Sequence, residues 1–209
     1  MARKRKRHPI RALVILIILG VCAYGVYSYW PVIQPAIQSV LPATSPAPSA
    51  GGFDISSDSV KYYFPRDGQQ PEPVLVGIMN NAQQTLDVAI YSITDQRIAD
   101  AMISAEKRGV TVRMITDASE SATSSQKALL ATVKAAGIPI KINTHSGIMH
   151  LKVTIADGDI ATTGSFNYTK AAENENDEVF VVLSDNTAAA DFESQFNRMW
   201  NDTSGFEDY

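Results

Sequence analysis

Three hydropathy patterns follow one another along the chain. Residues 12–30, ALVILIILGVCAYGVYSYW, form an uncharged run of 19 residues, close to the ~20 apolar residues a helix needs to cross a bilayer core. Residues 31–52, PVIQPAIQSVLPATSPAPSAGG, are rich in Pro, Ala and Ser and end in Gly-Gly. That composition builds no core and reads as a tether. From Phe53 onward, short apolar runs alternate with stretches of helical spacing, and this region, 53–209, is the expected folded domain.

Within it, VKYYF (60–64) predicts a short strand, and Pro73 to Gln84 a helix with proline in its first turn. LDVAIYSI (86–93) is a near-continuous apolar run, the mark of a strand buried on both faces. After Asp95 the period changes. Ile98, Ala101, Met102 and Ala105 recur at three and four, which predicts an amphipathic helix capped by Asp95 and closed by Lys107-Arg108-Gly109. VTVRMITD (110–117) is the next strand, Gln126 to Ala136 a helix ended by Gly137, and IPIKINT (138–144) a strand. HLKVTIA and IATT flank Asp157-Gly158 as a hairpin. EVFVVLS (178–184) and a helix from about Thr187 to Trp200 complete the chain. Such alternation predicts an α/β fold with a mixed central β-sheet sandwiched by helices.

Charge gives the N-terminal run an orientation. Six basic residues precede residue 12 and no acid does. Tyr24, Tyr27, Tyr29 and Trp30 gather at the far end of the run, as an interfacial aromatic belt would. The expected arrangement is a cytoplasmic basic tail (1–11), a single transmembrane helix (12–30) in the inner or cell membrane, and a folded domain on the periplasmic or extracellular side. A cleaved signal peptide, with a secreted product, is the alternative, although the apolar run exceeds the usual 7–15 residues of such signals. The formal net charge of −4 hides 22 acids against 12 Lys and Arg from Asp54 onward, a net of −10. Total charge therefore argues against a strong nucleic-acid clamp. The single cysteine, Cys22, lies in the apolar run and excludes an intrachain disulfide and any cysteine-based zinc site. With three histidines, His8, His145 and His150, a His-rich metal site is not available, and no metal or other cofactor is expected.

The chemistry concentrates in residues 150–167, HLKVTIADGDIATTGSFN. Period two places His150 and Lys152 on one strand face and Leu151, Val153 and Ile155 on the other. If the chain stays extended after Gly164, Ser165 and Asn167 also share a face. Neutral imidazole is a nucleophile and proton carrier near pH 7. Lysine and asparagine can donate to phosphate oxygens as charge builds in a transition state, and Glu178 is a candidate carboxylate to orient the imidazole. Taken singly, each of these residues has an ordinary structural role, and Asp157 before glycine is what a hairpin turn needs.

Together they form His-x-Lys, four residues, Asp, six residues, Gly-Ser-x-Asn. This pattern, at His150, Lys152, Asp157, Gly164, Ser165 and Asn167, resembles the signature of the phospholipase D superfamily, and the segment LDVAIYSITDQRIADAMISAEKRGVTVRMITD looks like the part that precedes it in small members. The likeness covers about residues 60–200 and implies a phosphodiesterase of α/β sandwich fold. One motif copy implies a homodimer with a shared active site, since family members use two motifs per site. By resemblance, His150 forms a phosphohistidine, and His150 of the second copy serves as acid and then base. Lys152 and Asn167 hold the phosphate, Ser165 holds the phosphate or the imidazole from a second tier, Glu178 is the orienting carboxylate, and Asp157 and Gly164 are structural. His145 is a candidate for lining the substrate groove, as is Asp117 at a strand end. Arg113, Lys141 and Lys170 are the few cations that could border the site. The short members include small bacterial endonucleases and a membrane-anchored mitochondrial group described as cardiolipin hydrolases or RNA nucleases. The expected substrate is nucleic acid, cut without metal and with little sequence preference. Phospholipid is the alternative, and a catalytically silent phosphate-binding module the remaining one.

Overall fold

The computed structural model describes residues 59–209. The basic tail, apolar run, linker and start of the domain at Phe53 lie outside the described residues. Among those described, no helix is long and apolar enough to cross a membrane.

The elements in chain order are β1 (Val60–Tyr63), a 3-10 turn (Pro65–Asp67), α1 (Pro71–Asn81), β2 (Thr85–Ile90), α2 (Gln96–Lys107), β3 (Thr111–Thr116), α3 (Ala118–Ser121), α4 (Ser124–Ala135), β4 (Ile140–Asn143), β5 (Lys152–Ala156), β6 (Ile160–Gly164), α5 (Lys170–Asn174), β7 (Phe180–Leu183), α6 (Asn186–Asn201) and β8 (Phe206–Asp208). The strands form one eight-stranded sheet in the order β1-β7-β6-β5-β2-β3-β4-β8. β2, β3 and β4 run parallel, and every other pairing is antiparallel. The sheet is thus mixed and flanked by helices.

Local chemistry explains the boundaries. Asp95 caps α2 by accepting from the Arg97 N–H at 2.9 Å, and Gly109 (φ +94°) supplies the left-handed turn after its end. α1 starts two residues before the predicted Pro73, because Pro71 and Pro73 both sit in its first turn, where missing N–H donors cost nothing. It stops at Asn81, short of the predicted Gln84, because the Gln83 and Gln84 amides bond to Asp157 instead. β8 and the short helices α3 and α5 are absent from the sequence reading. At three to five residues, none is long enough to display a period.

The sheet separates two cores. Leu86, Val88 and Ile90 of β2 join one cluster with Leu75 and Met79 of α1, Ile98 and Met102 of α2, and Leu130 and Val133 of α4. Ala89, Ile115, Val153 and Ile155 face the other cluster, with Ala189, Phe196 and Met199 of α6. β5 is therefore a central strand, buried along its whole length. The predicted alternation of Lys152 and Thr154 against Val153 and Ile155 is present, but both faces are covered.

Candidate active site

The motif residues other than Asp157 meet at one end of the sheet. β2 and β3 end there, β5 begins there beside β2 (Ile90 opposite Lys152), and β6 ends there beside the start of β7 (Gly164 opposite Phe180). The carboxyl ends of parallel strands are where open α/β sheets place their ligands.

The loop before β5 carries His150 and is held at Gly147, Met149 and Leu151. The Asn143 amide donates to the Gly147 carbonyl at 3.1 Å and its oxygen accepts from the Ala118 N–H at 2.9 Å. The Met149 N–H donates to the buried Asp117 carboxylate at 2.9 Å. The Tyr91 N–H donates to the Leu151 carbonyl at 2.8 Å. Asp117 also accepts from Ser119 and Glu120 at the start of α3. Burial pushes its pKa up, but the Ser119 hydroxyl and the Met149, Glu120 and Ser119 amides outweigh that and hold it below the ordinary value. Asp117 is thus a clasp for the loop rather than a side chain of the groove.

The His150 imidazole is exposed, its ring 4.7 Å from the Tyr91 ring in an edge contact. Lys152 is only 5% exposed. Its ammonium donates to the His150 carbonyl at 2.9 Å and lies 4.8 Å from the Tyr91 ring centroid. Burial lowers the Lys152 pKa, and the Glu178 and Glu120 charges oppose the shift. An ammonium has three donors, so two are left for a ligand.

Across the site, the backbone bends sharply at Gly164, with φ +132°. A Cβ there would sit 3.0 Å from the Val179 carbonyl carbon and nearer still to its oxygen, so no other residue fits. The close approach sets the next residue. The Ser165 N–H donates to that Val179 oxygen at 3.0 Å, and the Ser165 hydroxyl accepts from the Val179 N–H at 3.1 Å. The hydroxyl in turn donates to Glu178, whose other oxygen accepts from the Asn176 amide at 3.2 Å. The Glu178 hydrogen bonds go to Ser165 and Asn176, not to the imidazole it was expected to orient, because strand pairing puts Ser165 directly beside it. The Asn167 side-chain oxygen is buried without a hydrogen-bond partner. Such an orphan is costly unless a ligand or a donor group completes it.

His150, Lys152, Gly164, Ser165, Asn167 and Glu178 line one open cavity of about 350 Å³. Imidazole, ammonium and amide around an open hollow suit a tetrahedral phosphate: a nucleophile on one wall, and the ammonium and amide as donors for its oxygens on the others.

Two predicted residues stand apart. Asp157 sits in the hairpin turn with φ +57°, and its carboxylate accepts from the Gln83, Gln84 and Thr85 amides. Burial raises its pKa, but those amides prevail and leave it lowered. His145 packs against Phe206, with ring centroids 5.4 Å apart, and lines a separate cavity of about 440 Å³ that shares only His150 with the first. The loop turn at Gly147 places it on the α6 side. The proposed bordering cations are also committed elsewhere. Arg113 binds Asp87 and Asn197 under α6, Lys170 pairs with Glu72 and Asp95, and Lys141 lies by Asp208 and Trp200. Sequence reasoning missed Tyr91, whose signal was its place at the carboxyl end of β2, and Asn176. Among the described residues, no group of three or more His, Cys, Asp or Glu side chains is arranged to hold a metal ion.

Residues 75–200 match the family model described as cardiolipin synthase, PLD-like domain. A mitochondrial cardiolipin hydrolase of Chlamydomonas reinhardtii is 34% identical over 123 residues, covering 59% of this chain and 54% of that protein. The chain thus spans little more than half the length of that relative. A phospholipase D of Rickettsia felis is 30% identical over 193 residues, covering 90% of this chain and 94% of its own length. The solved structure of a phospholipase D family member, Nuc from Salmonella typhimurium, superposes with a TM-score of 0.66 at 31% identity, covering 72% of this chain and 97% of that one. With the family model matching most of the domain and five of the six motif residues gathered around one cavity, the chain belongs to the phospholipase D superfamily.

Proposed function

We propose that the chain hydrolyses phosphodiesters through a covalent phosphohistidine, as a homodimer with one site built from two copies. The observation that carries this reading is the convergence of His150, Lys152, Ser165 and Asn167 on one open cavity. His150 attacks phosphorus, forming a P–N bond as the P–O bond to the leaving group breaks. The second copy's His150 gives that oxygen a proton. The same imidazole then takes a proton from water, which attacks phosphorus, breaks the P–N bond and releases the phosphomonoester. Lys152 and Asn167 hold the non-bridging oxygens, and Lys152 gains strength from its dry setting. No step calls for a metal.

The first substrate reading is nucleic acid. The open cavity admits a long chain passing across it, and the domain aligns with 97% of the Nuc chain. A second reading, phospholipid at the membrane that would hold the anchor, is favoured by one observation. Ile148 and Leu151, beside His150, are 52% and 37% exposed, while Arg113, Lys141 and Lys170 are occupied in ion pairs or ring contacts. The test is incubation of the purified protein with plasmid DNA, and separately with cardiolipin vesicles, in EDTA, beside His150→Ala. DNA cleavage lost in the variant supports the first reading. Intact DNA with cleaved lipid replaces it by the second, and no cleavage of either refutes the enzymatic reading. A monomer by sedimentation at micromolar concentration would contradict the shared site.

A further inference from the structure

Among the described residues, Tyr91 is the one aromatic side chain in contact with both the imidazole and the ammonium of the site. Its backbone is strapped from two sides. Its N–H holds the Leu151 carbonyl at 2.8 Å, and its own carbonyl faces the Thr116 hydroxyl and the amide of the fully buried Gln126, each at 3.4 Å. Gln126 also accepts from the Ile93 N–H at 2.8 Å and donates to Thr116 at 2.9 Å. These contacts fix the Tyr91 backbone at the end of β2, and its hydroxyl interacts with the Glu120 carboxylate. At its far end, burial raises the hydroxyl pKa, with the Glu120 and Asp117 carboxylates adding to the shift.

Lys152 has one hydrogen bond, to the His150 carbonyl, and among the described residues it forms no ion pair. A carboxylate in place of Tyr91 would neutralise the ammonium and compete with phosphate for its donors. An aromatic face attracts the cation without consuming a proton or cancelling its charge. The same ring limits the rotation of the exposed His150 imidazole, which has no hydrogen bond among the described residues to orient it. An edge contact fixes a ring plane while leaving both nitrogens free.

We infer that Tyr91 is a positioning residue of this site, its ring fixing the rotamer of His150 and resting the Lys152 ammonium where it meets phosphate. The inference rests on the phosphodiesterase reading above for its catalytic consequence, but its geometric content stands apart from activity. Full-length wild type, Tyr91→Phe and Tyr91→Leu are compared by steady-state kinetics on whichever diester wild type cleaves, and by NMR of the His150 imidazole across pH. Tyr91→Phe should keep kcat within about threefold and leave the His150 resonances and titration in place, since the ring survives. Tyr91→Leu should lower kcat by roughly 10–100-fold, with a smaller change in KM, and should shift both the His150 resonances and the alkaline limb of the kcat profile. Should the leucine variant melt below the assay temperature, Tyr91→Met, unbranched and more adaptable, replaces it. Unchanged His150 resonances in the leucine or methionine variant overturn the inference whether or not the wild type is active. So does a phenylalanine variant that falls as far as leucine, because the hydroxyl would then be the working group. A wild type that cleaves no diester refutes the proposed function, while the NMR comparison still decides the role of the ring.

Discussion

Replacing Gly164 by alanine tests how tightly the fold and the site are joined. The new Cβ would lie 3.0 Å from the Val179 carbonyl carbon and closer to its oxygen, on a backbone with φ +132°. Relief requires β6 and β7 to part at the pair Gly164–Phe180. An alanine in a left-handed conformation costs about 1–2 kcal/mol. The displaced Val179 oxygen is the acceptor of the Ser165 N–H, and losing that hydrogen bond adds about 1 kcal/mol. With residual strain of about 1–2 kcal/mol, the loss comes to roughly 3–5 kcal/mol, or about 6–20 °C of melting temperature for a domain of this size. Function should suffer more than stability alone explains. Ser165 and Glu178 ride on the same backbone, and a displacement of about 1 Å at a reacting site can cost ~100-fold in rate. The assay is a thermal melt by circular dichroism, followed by kcat well below the melting temperature of the variant. A melting temperature within about 2 °C of wild type would refute the steric reasoning. Activity within about threefold in a clearly destabilised variant would refute the coupling of the close approach to the site.

Asp157→Asn keeps a residue that tolerates positive φ but removes the charge that receives three amides, and should cost about 1–2 kcal/mol in urea denaturation at pH 7. The Asp157 pKa is lowered in the folded state, so this stabilisation is present above the unfolded value near ~4 and lost as pH falls through the lower folded value. The gap between wild type and variant should therefore close on acidification, and a constant gap would refute the assignment. Lys152→Met removes a buried charge and should abolish turnover while raising the unfolding free energy in urea denaturation by about 1 kcal/mol; a destabilised variant would contradict this. Because burial lowers the Lys152 pKa, wild-type kcat should fall at a pH below the ordinary lysine value of about 10.4, and Lys152→Arg should flatten that limb while lowering kcat. If nucleic acid is the substrate, the paired state of Arg113, Lys141 and Lys170 predicts few phosphate contacts. The slope of log affinity against log salt should then lie between about −0.9 and −1.8 for duplex DNA, and a slope steeper than about −4 would show a basic groove where none is expected.

By itself the sequence determined the alternating elements, the Asp157-Gly158 turn and the spacing that carries His150, Lys152, Ser165 and Asn167. These are readable because periodicity, caps and turn chemistry depend on neighbours a few residues away. Only the tertiary structure decided that β5 lies between β2 and β6, which buries Lys152 and brings Tyr91 against it from 61 residues upstream. It also decided that Glu178 meets Ser165 rather than His150, that His145 opens onto a different cavity, and that Arg113, Lys141 and Lys170 are held in contacts elsewhere. Each of those outcomes depends on strand order and register. They are set by the burial of two apolar faces at once, a condition on the whole sheet that no short stretch of residues expresses.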